Sequence, residues 1–255
     1  MTNSPAKPPI RVGLLLDSFT EPKWVSNIIR DIKSSGFAEI GVVIKNEAES
    51  APPQSRFKSY WQNRSYLLYA LYSRLDQRVA LEGEQAFEDT DLTDLLTDIP
   101  VVGVQPIMKK FSDWFPPEAI EQIRTYDLDV AISFGFRILR GDALRIAKHG
   151  VWSYHHGDNL VNRGGPAGFW EVMEGSPISG AVLQVLSEDL DNGEVIDRSW
   201  TRTTDRFSVR GSKNNLYWRS SKFVMRKLRE LYENGDVTSE ANVFRPYYNR
   251  LHKMP

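Results

Sequence analysis

The chain has 255 residues, 32 Lys and Arg against 33 Asp and Glu, 41% apolar and 25% charged residues, and no cysteine. That length suits one α/β domain with elaborations, and a net charge of −1 provides no broad basic field for nucleic acid or an anionic membrane. Without cysteine there are no disulfides, no thiolate catalysis and no Cys-zinc sites, and no apolar run approaches the ~20 residues of a membrane-spanning helix.

Residues 1–9 are polar and proline-rich and lack the apolar core of a signal peptide, which predicts a disordered lead-in to a cytoplasmic protein. Residues 10–16, IRVGLLL, form a continuous apolar run suited to a buried parallel strand. After Pro22, residues Trp24, Val25, Ile28, Ile29 and Ile32 recur at helical spacing until Gly36. A second strand over 40–44 completes a β-α-β opening, the start of a doubly wound sheet. The first turn, Asp17-Ser18-Phe19-Thr20, contains no glycine, so a G-x-G-x-x-G dinucleotide fingerprint is absent.

Ala51-Pro52-Pro53 reads as a break. Residues 57–80 are rich in aromatics and arginine, including Tyr60, Trp61, Tyr66, Tyr69 and Tyr72. This segment is expected to be a helix covering one face of the sheet, or an insertion shaping an acceptor pocket, since such side chains suit sugars and phosphates. The acidic stretch 82–98 is expected to be a solvated face or loop, and 99–104 a strand. Pro116-Pro117 opens a helix through Ala119, Ile120 and Ile123. Residues 130–132 form a strand that ends at Ser133-Phe134-Gly135, and 142–147 supply the helix that follows.

Residues 151–154 form a β-branched and aromatic run ending in His155-His156. A Gly/Asn/Asp-rich loop leads to a helical segment around 169–174, a strand over 181–186 and an acidic turn through Asp191-Asn192-Gly193. In an open α/β sheet, ligands bind beyond the carboxyl ends of strands, where both 136–139 and His155 fall. Residues 197–203 pair as an edge strand, and 222–233 form an amphipathic helix with Phe223, Val224, Leu228 and Leu231 on one side. The tail, 244–255, has no strong pattern. A histidine leaving a strand and an aspartate on a later loop are the parts of an acid/base site.

Over 127–196 the chain resembles the formyltetrahydrofolate-dependent formyltransferase family, which includes the glycinamide ribonucleotide, methionyl-tRNA and sugar-amine enzymes. The family pattern runs close to G-V-x-N-x-H-P, then R-G, then W, then two glycines, then D-x-G-L-D-x-G. Gly150, Val151, His155, Arg163-Gly164, Trp170, Gly175, Gly180, Leu190-Asp191 and Gly193 match it without a gap. Phe136-Arg137-Ile138-Leu139 resembles the loop that receives the pterin ring. Two positions depart: Ser153 stands at the catalytic asparagine and His156 at the proline.

The resemblance implies an α/β, Rossmann-like formyltransferase fold with a doubly wound, mostly parallel sheet and helices on both faces. Its implied layout is a catalytic domain over 10–204 with a helical insertion near 55–80, then a C-terminal helical extension over 205–255. The implied reaction moves a formyl group from 10-formyltetrahydrofolate to a primary amine of a small molecule, such as an amino sugar or a nucleotide-linked one. His155, Asp191 and Ser153 are then the catalytic residues. Phe136, Arg137, Ile138, Leu139 and Leu186 meet the donor, and His156, Asp158 and Arg163 meet the acceptor; no metal is implied. The basic C-terminal barrel of the tRNA-formylating members has no counterpart, so no nucleic acid or membrane partner is expected, and a homodimer stays open. Taken alone, Asp158 and Asp191 also suit turns, and Arg163 can shape its loop. A formyl hydrolase on the same fold and a catalytically silent binding module are the alternatives.

Overall fold

The computed structural model describes residues 7–48, 71–78, 83–109, 111–161, 167–189, 193–203 and 208–239. The lead-in up to residue 6, most of the 57–80 segment, Arg163, Asp191 and the tail from 244 lie outside the described residues.

A seven-stranded sheet organises the chain, in the order β12-β11-β10-β8-β1-β3-β5. Strands β5 (Val101–Val104), β3 (Ala38–Asn46), β1 (Ile10–Leu16), β8 (Val130–Ser133) and β10 (Val151–His155) run parallel. β11 (Ile178–Val185) turns back antiparallel to β10, and β12 (Glu194–Arg202) closes that edge antiparallel to β11. β1 lies centrally because its run is apolar on both faces. Val12, Leu14 and Leu16 enter one core and Leu15 the other, each with no exposed surface.

The first core receives α1 (Lys23–Ser34) through Trp24, Val25, Ile28, Ile29 and Ile32. The second receives α2 (Pro117–Arg124) through Ala119, Ile120 and Ile123. Helices therefore cover both faces, as the doubly wound reading requires. After the short α3 (Phe169–Met173), helices α4 (Val209–Ser220) and α5 (Lys222–Asn234) return to the α1 face, where Leu216, Phe223, Val224, Leu228 and Leu231 join the first core.

Two local expectations change. The acidic stretch is not simply solvated: β4 (Asp89–Asp91) pairs antiparallel with β2 (Thr20–Pro22). Ala86, Leu92 and Leu96 are buried, while neighbouring carboxylates face water. Between β8 and β10 there is no α-helix over 142–147 but a 3-10 turn, Gly141–Arg145. The preceding residues are drawn off as β9 (Ile138–Arg140), and the short remaining crossover suits the tighter turn. β9 pairs with β7 (Ser112–Trp114), which pairs with β6 (Ile107–Lys109) in a small second sheet. Among the described residues, no helix is long and apolar enough to cross a membrane.

Candidate active site

A pocket of about 340 Å³ opens where β8 and β10 end, beside the start of α1. This is the carboxyl-terminal edge of the parallel strands, where α/β sheets place ligands, and the volume is in the range of small-molecule sites. The pocket wraps the end of the sheet, so it has a polar side and an aromatic side.

The polar side follows from strand register. Ser153 on β10 lies opposite Ser133 on β8 and opposite Gln184 on β11. Residues aligned across adjacent strands share a face, so these three make one polar row on the sheet face that carries α2. His155, two residues beyond Ser153, points to the same side at the end of β10. All four line the pocket.

The aromatic side is centred on Trp24, which meets Phe134, Tyr154, His156 and Tyr217 edge-on at centroid distances of 5.2–5.6 Å. His156 stacks flat on Tyr217 at 3.5 Å, and its Nε2 lies 3.0 Å from Ser220 Oγ. The Ser220 hydroxyl also donates to the Tyr217 carbonyl at 3.1 Å, an arrangement that suits a proton on Nε2. Burial, with smaller contributions from His155 and Lys213, holds the His156 imidazole well below its ordinary pKa. His156 is therefore neutral near physiological pH. Burial also raises the Tyr217 phenol to about 12 and pushes Tyr154 higher still. His156 faces away from His155, yet both line the pocket because the pocket bends around the strand end.

The remaining wall is the segment 134–139. Gly135 is needed there: a Cβ would lie 2.4 Å from the Asp17 nitrogen, at the carboxyl end of β1. Phe136 adopts a left-handed conformation, φ 66°, which is unusual for an aromatic residue. Two carboxylates hold this shape. Asp17 Oδ1 accepts the Phe136 N–H and the Asn46 amide, both at 2.8 Å. Asp113, 1% exposed, accepts the Arg137 N–H at 2.8 Å through one oxygen, and Nε at 2.9 Å and Nη2 at 2.5 Å through the other. The Arg137 side chain is thus turned toward β7, while Ile138 and Leu139 line the pocket with Leu186.

Of the residues singled out from sequence, the pocket unites Ser153, His155, His156, Phe136, Arg137, Ile138, Leu139 and Leu186. Asp158 is elsewhere. Its Oδ1 accepts the Leu160 N–H at 2.9 Å and Arg198 Nη1 at 3.0 Å, and its Oδ2 accepts Trp200 Nε1 at 2.9 Å. These partners tie the turn after β10 to β12, the role its turn chemistry favours over contact with an acceptor. Arg163 and Asp191 fall outside the described residues, although Asp189, in the same acidic stretch of sequence, reaches the pocket lining. Sequence reasoning missed Trp24, Tyr217, Asp17, Asp113 and Gln184. Asp17 was accessible as the residue just past β1, and Gln184 as the polar interruption of an apolar strand. Among the described residues, no cluster of three or more His, Asp or Glu could hold a metal ion.

The chain matches no family model and no curated relative. Solved structures do resemble it. Glycinamide ribonucleotide transformylase 1 from Symbiobacterium toebii has a TM-score of 0.59 at 13% identity, covering 91% of this chain and 92% of that one. A formyltetrahydrofolate deformylase from Pseudomonas syringae pv. tomato has a TM-score of 0.55 at 16% identity, over 88% of this chain and 63% of that one. WlaRD, a sugar 3N-formyl transferase solved in the presence of dTDP and 5-N-formyl-THF, has a TM-score of 0.53 at 13% identity, over 94% and 70%. With strand order, helices on both faces and a pocket at the carboxyl ends of the strands, the chain has the fold of the formyltransferases.

Proposed function

We propose that the protein transfers a formyl group from 10-formyltetrahydrofolate to a primary amine of a small molecule. The observation that carries this reading is the convergence of Ser153, His155 and the doubly clamped 135–139 loop on one pocket. The donor is a co-substrate that supplies the activated formyl carbon. Fit to it is supported by backbone groups fixed by Asp17 and Asp113, with Leu139 and Leu186 as apolar contacts beside the loop. The 135–139 segment would take the ring edges of the donor. His155 is the proton carrier, because an imidazole both accepts and returns a proton near neutral pH. Asp191, on the acidic turn, is its carboxylate partner, and Ser153 contributes a hydroxyl beside the developing oxyanion.

The acceptor we favour is an amino sugar or a nucleotide-linked one. The aromatic side of the pocket around Trp24 and Tyr217 suits the apolar face of a sugar ring, and WlaRD has the same fold. A second reading, hydrolysis of the formyl donor with water as acceptor, is favoured by the polar row beside His155 and by the fold shared with the deformylase. The two separate in one assay. Purified protein is incubated with 10-formyltetrahydrofolate with and without a panel of amino sugars and nucleotide-linked amino sugars, following tetrahydrofolate and N-formyl product. Amine-dependent release is the expected result; release at the same rate without amine establishes the hydrolase, and no release in either arm rules out both.

A further inference from the structure

We propose that Gln184 is a catalytic residue of this site, its carboxamide supplying the amide hydrogen bonds to the reacting formyl group. This rests on the formyl-transfer reading above. Gln184 is 5% exposed, it lines the pocket, and its Oε1 is fully enclosed with no hydrogen-bond partner among the described residues. A buried carboxamide oxygen without a partner is destabilising, and native strands seldom keep one away from a ligand site. Its neighbours fix where that ligand sits. Gln184 is the direct cross-strand partner of Ser153, and His155 lies two residues further along β10. Against the other side, a Cβ on Gly193 would come within 3.2 Å of the Gln184 Cδ, so glycine at the return into β12 leaves room for the carboxamide.

The chemistry of the transfer needs such a group. The acceptor nitrogen uses its lone pair to form a bond to the formyl carbon, as the carbonyl π pair moves onto oxygen. One amine proton passes to His155. Re-forming the carbonyl breaks the bond from that carbon to the folate nitrogen, whose electron pair takes the proton back from His155. An N-formyl amine and tetrahydrofolate result. The oxygen that carries the charge requires a fixed donor in a dry site. The Ser153 hydroxyl is short and free to rotate, whereas the Gln184 amide is longer, planar and confined by the sheet. Its NH₂ donates to the oxyanion.

The test combines turnover, donor-analogue binding and thermal unfolding in the full chain with Gln184→Met and Gln184→Ala. Methionine keeps the volume and removes both polar atoms. The expected result is a fall in kcat of about 10²–10³ for both variants, with binding of 5-formyltetrahydrofolate changed by less than about threefold. Gln184→Met is expected to raise Tm by about 2–4 °C, because an unpaired buried carboxamide oxygen is gone. Adding Ser153→Asn to Gln184→Ala returns an amide from the facing strand and recovers at least about tenfold in kcat. A parent that turns over while Gln184→Met retains kcat overturns the assignment alone, as does a Gln184→Met variant that loses stability and activity together. A parent that binds the analogue but turns over no donor overturns the assignment with the reading beneath it.

Discussion

Replacing His155 with alanine is expected to lower kcat for the proposed formyl release by about 10²–10⁴, the usual contribution of a positioned general acid-base. Donor-analogue affinity is expected to change little, because in the proposed reaction His155 acts on the proton of the acceptor and the 135–139 loop takes the ring system of the donor. Its position supports that division. β10 ends at His155, and the side chain emerges on the same side as Ser153 and the row shared with Ser133 and Gln184. His156 cannot substitute. Its imidazole is stacked on Tyr217, bonded to Ser220 and kept neutral by burial. Steady-state kinetics of His155→Ala with calorimetric binding of 5-formyltetrahydrofolate separates the two effects. Loss of binding equal to the loss of kcat/KM would make His155 a donor ligand and remove it as proton carrier.

The second large effect is expected away from the reacting groups. Asp113→Ala removes the acceptor for the Arg137 N–H and guanidinium at once. Removing one partner of a buried pair costs about 3–5 kcal/mol. The Arg137 side chain is 42% exposed, and solvent reduces the figure to about 2 kcal/mol, or about 4–8 °C in Tm. The more specific effect concerns the loop. Phe136 holds its left-handed backbone between the Asp17 and Asp113 contacts, and losing one of them lets it relax. Donor-analogue affinity is expected to fall at least about tenfold, about 1.4 kcal/mol. Asp113→Asn keeps one acceptor and should lie between parent and alanine variant. Unchanged affinity in a folded Asp113→Ala protein would separate the loop from the donor.

The parts of this fold with strong periodicity were legible in the sequence. The 10–16 run became β1, and the Trp24 to Ile32 stripe became α1, because their spacing alone decides which faces are buried. α4 was not legible. Its buried positions include Ser212, Asn214 and Ser220, which leave no apolar stripe. Asn214 instead bonds the Ala86 N–H and the Glu84 carbonyl, partners about 130 residues away. The acidic stretch misled for a related reason: its many carboxylates outweighed the few apolar residues, Ala86, Leu92 and Leu96, that the core takes up.

In the site, period two along β10 was enough to place Ser153 and His155 on one face. The two carboxylates that shape the 135–139 loop come from positions 17 and 113, and only the sheet order brings them there. Asp158 shows the limit of residue type as a guide. A carboxylate two residues past paired histidines looks poised for chemistry, yet Arg198 and Trp200 occupy both of its oxygens.

Calorimetric titration of the purified chain with 5-formyltetrahydrofolate, an unreactive analogue of the donor, tests the central claim most directly. One-site binding with Kd of about 100 μM or tighter, about −5.5 kcal/mol, is the predicted result, weakened by Asp113→Ala and little changed by His155→Ala. No heat of binding from a protein shown by thermal unfolding to be folded would contradict the claim that this pocket takes a folate formyl donor.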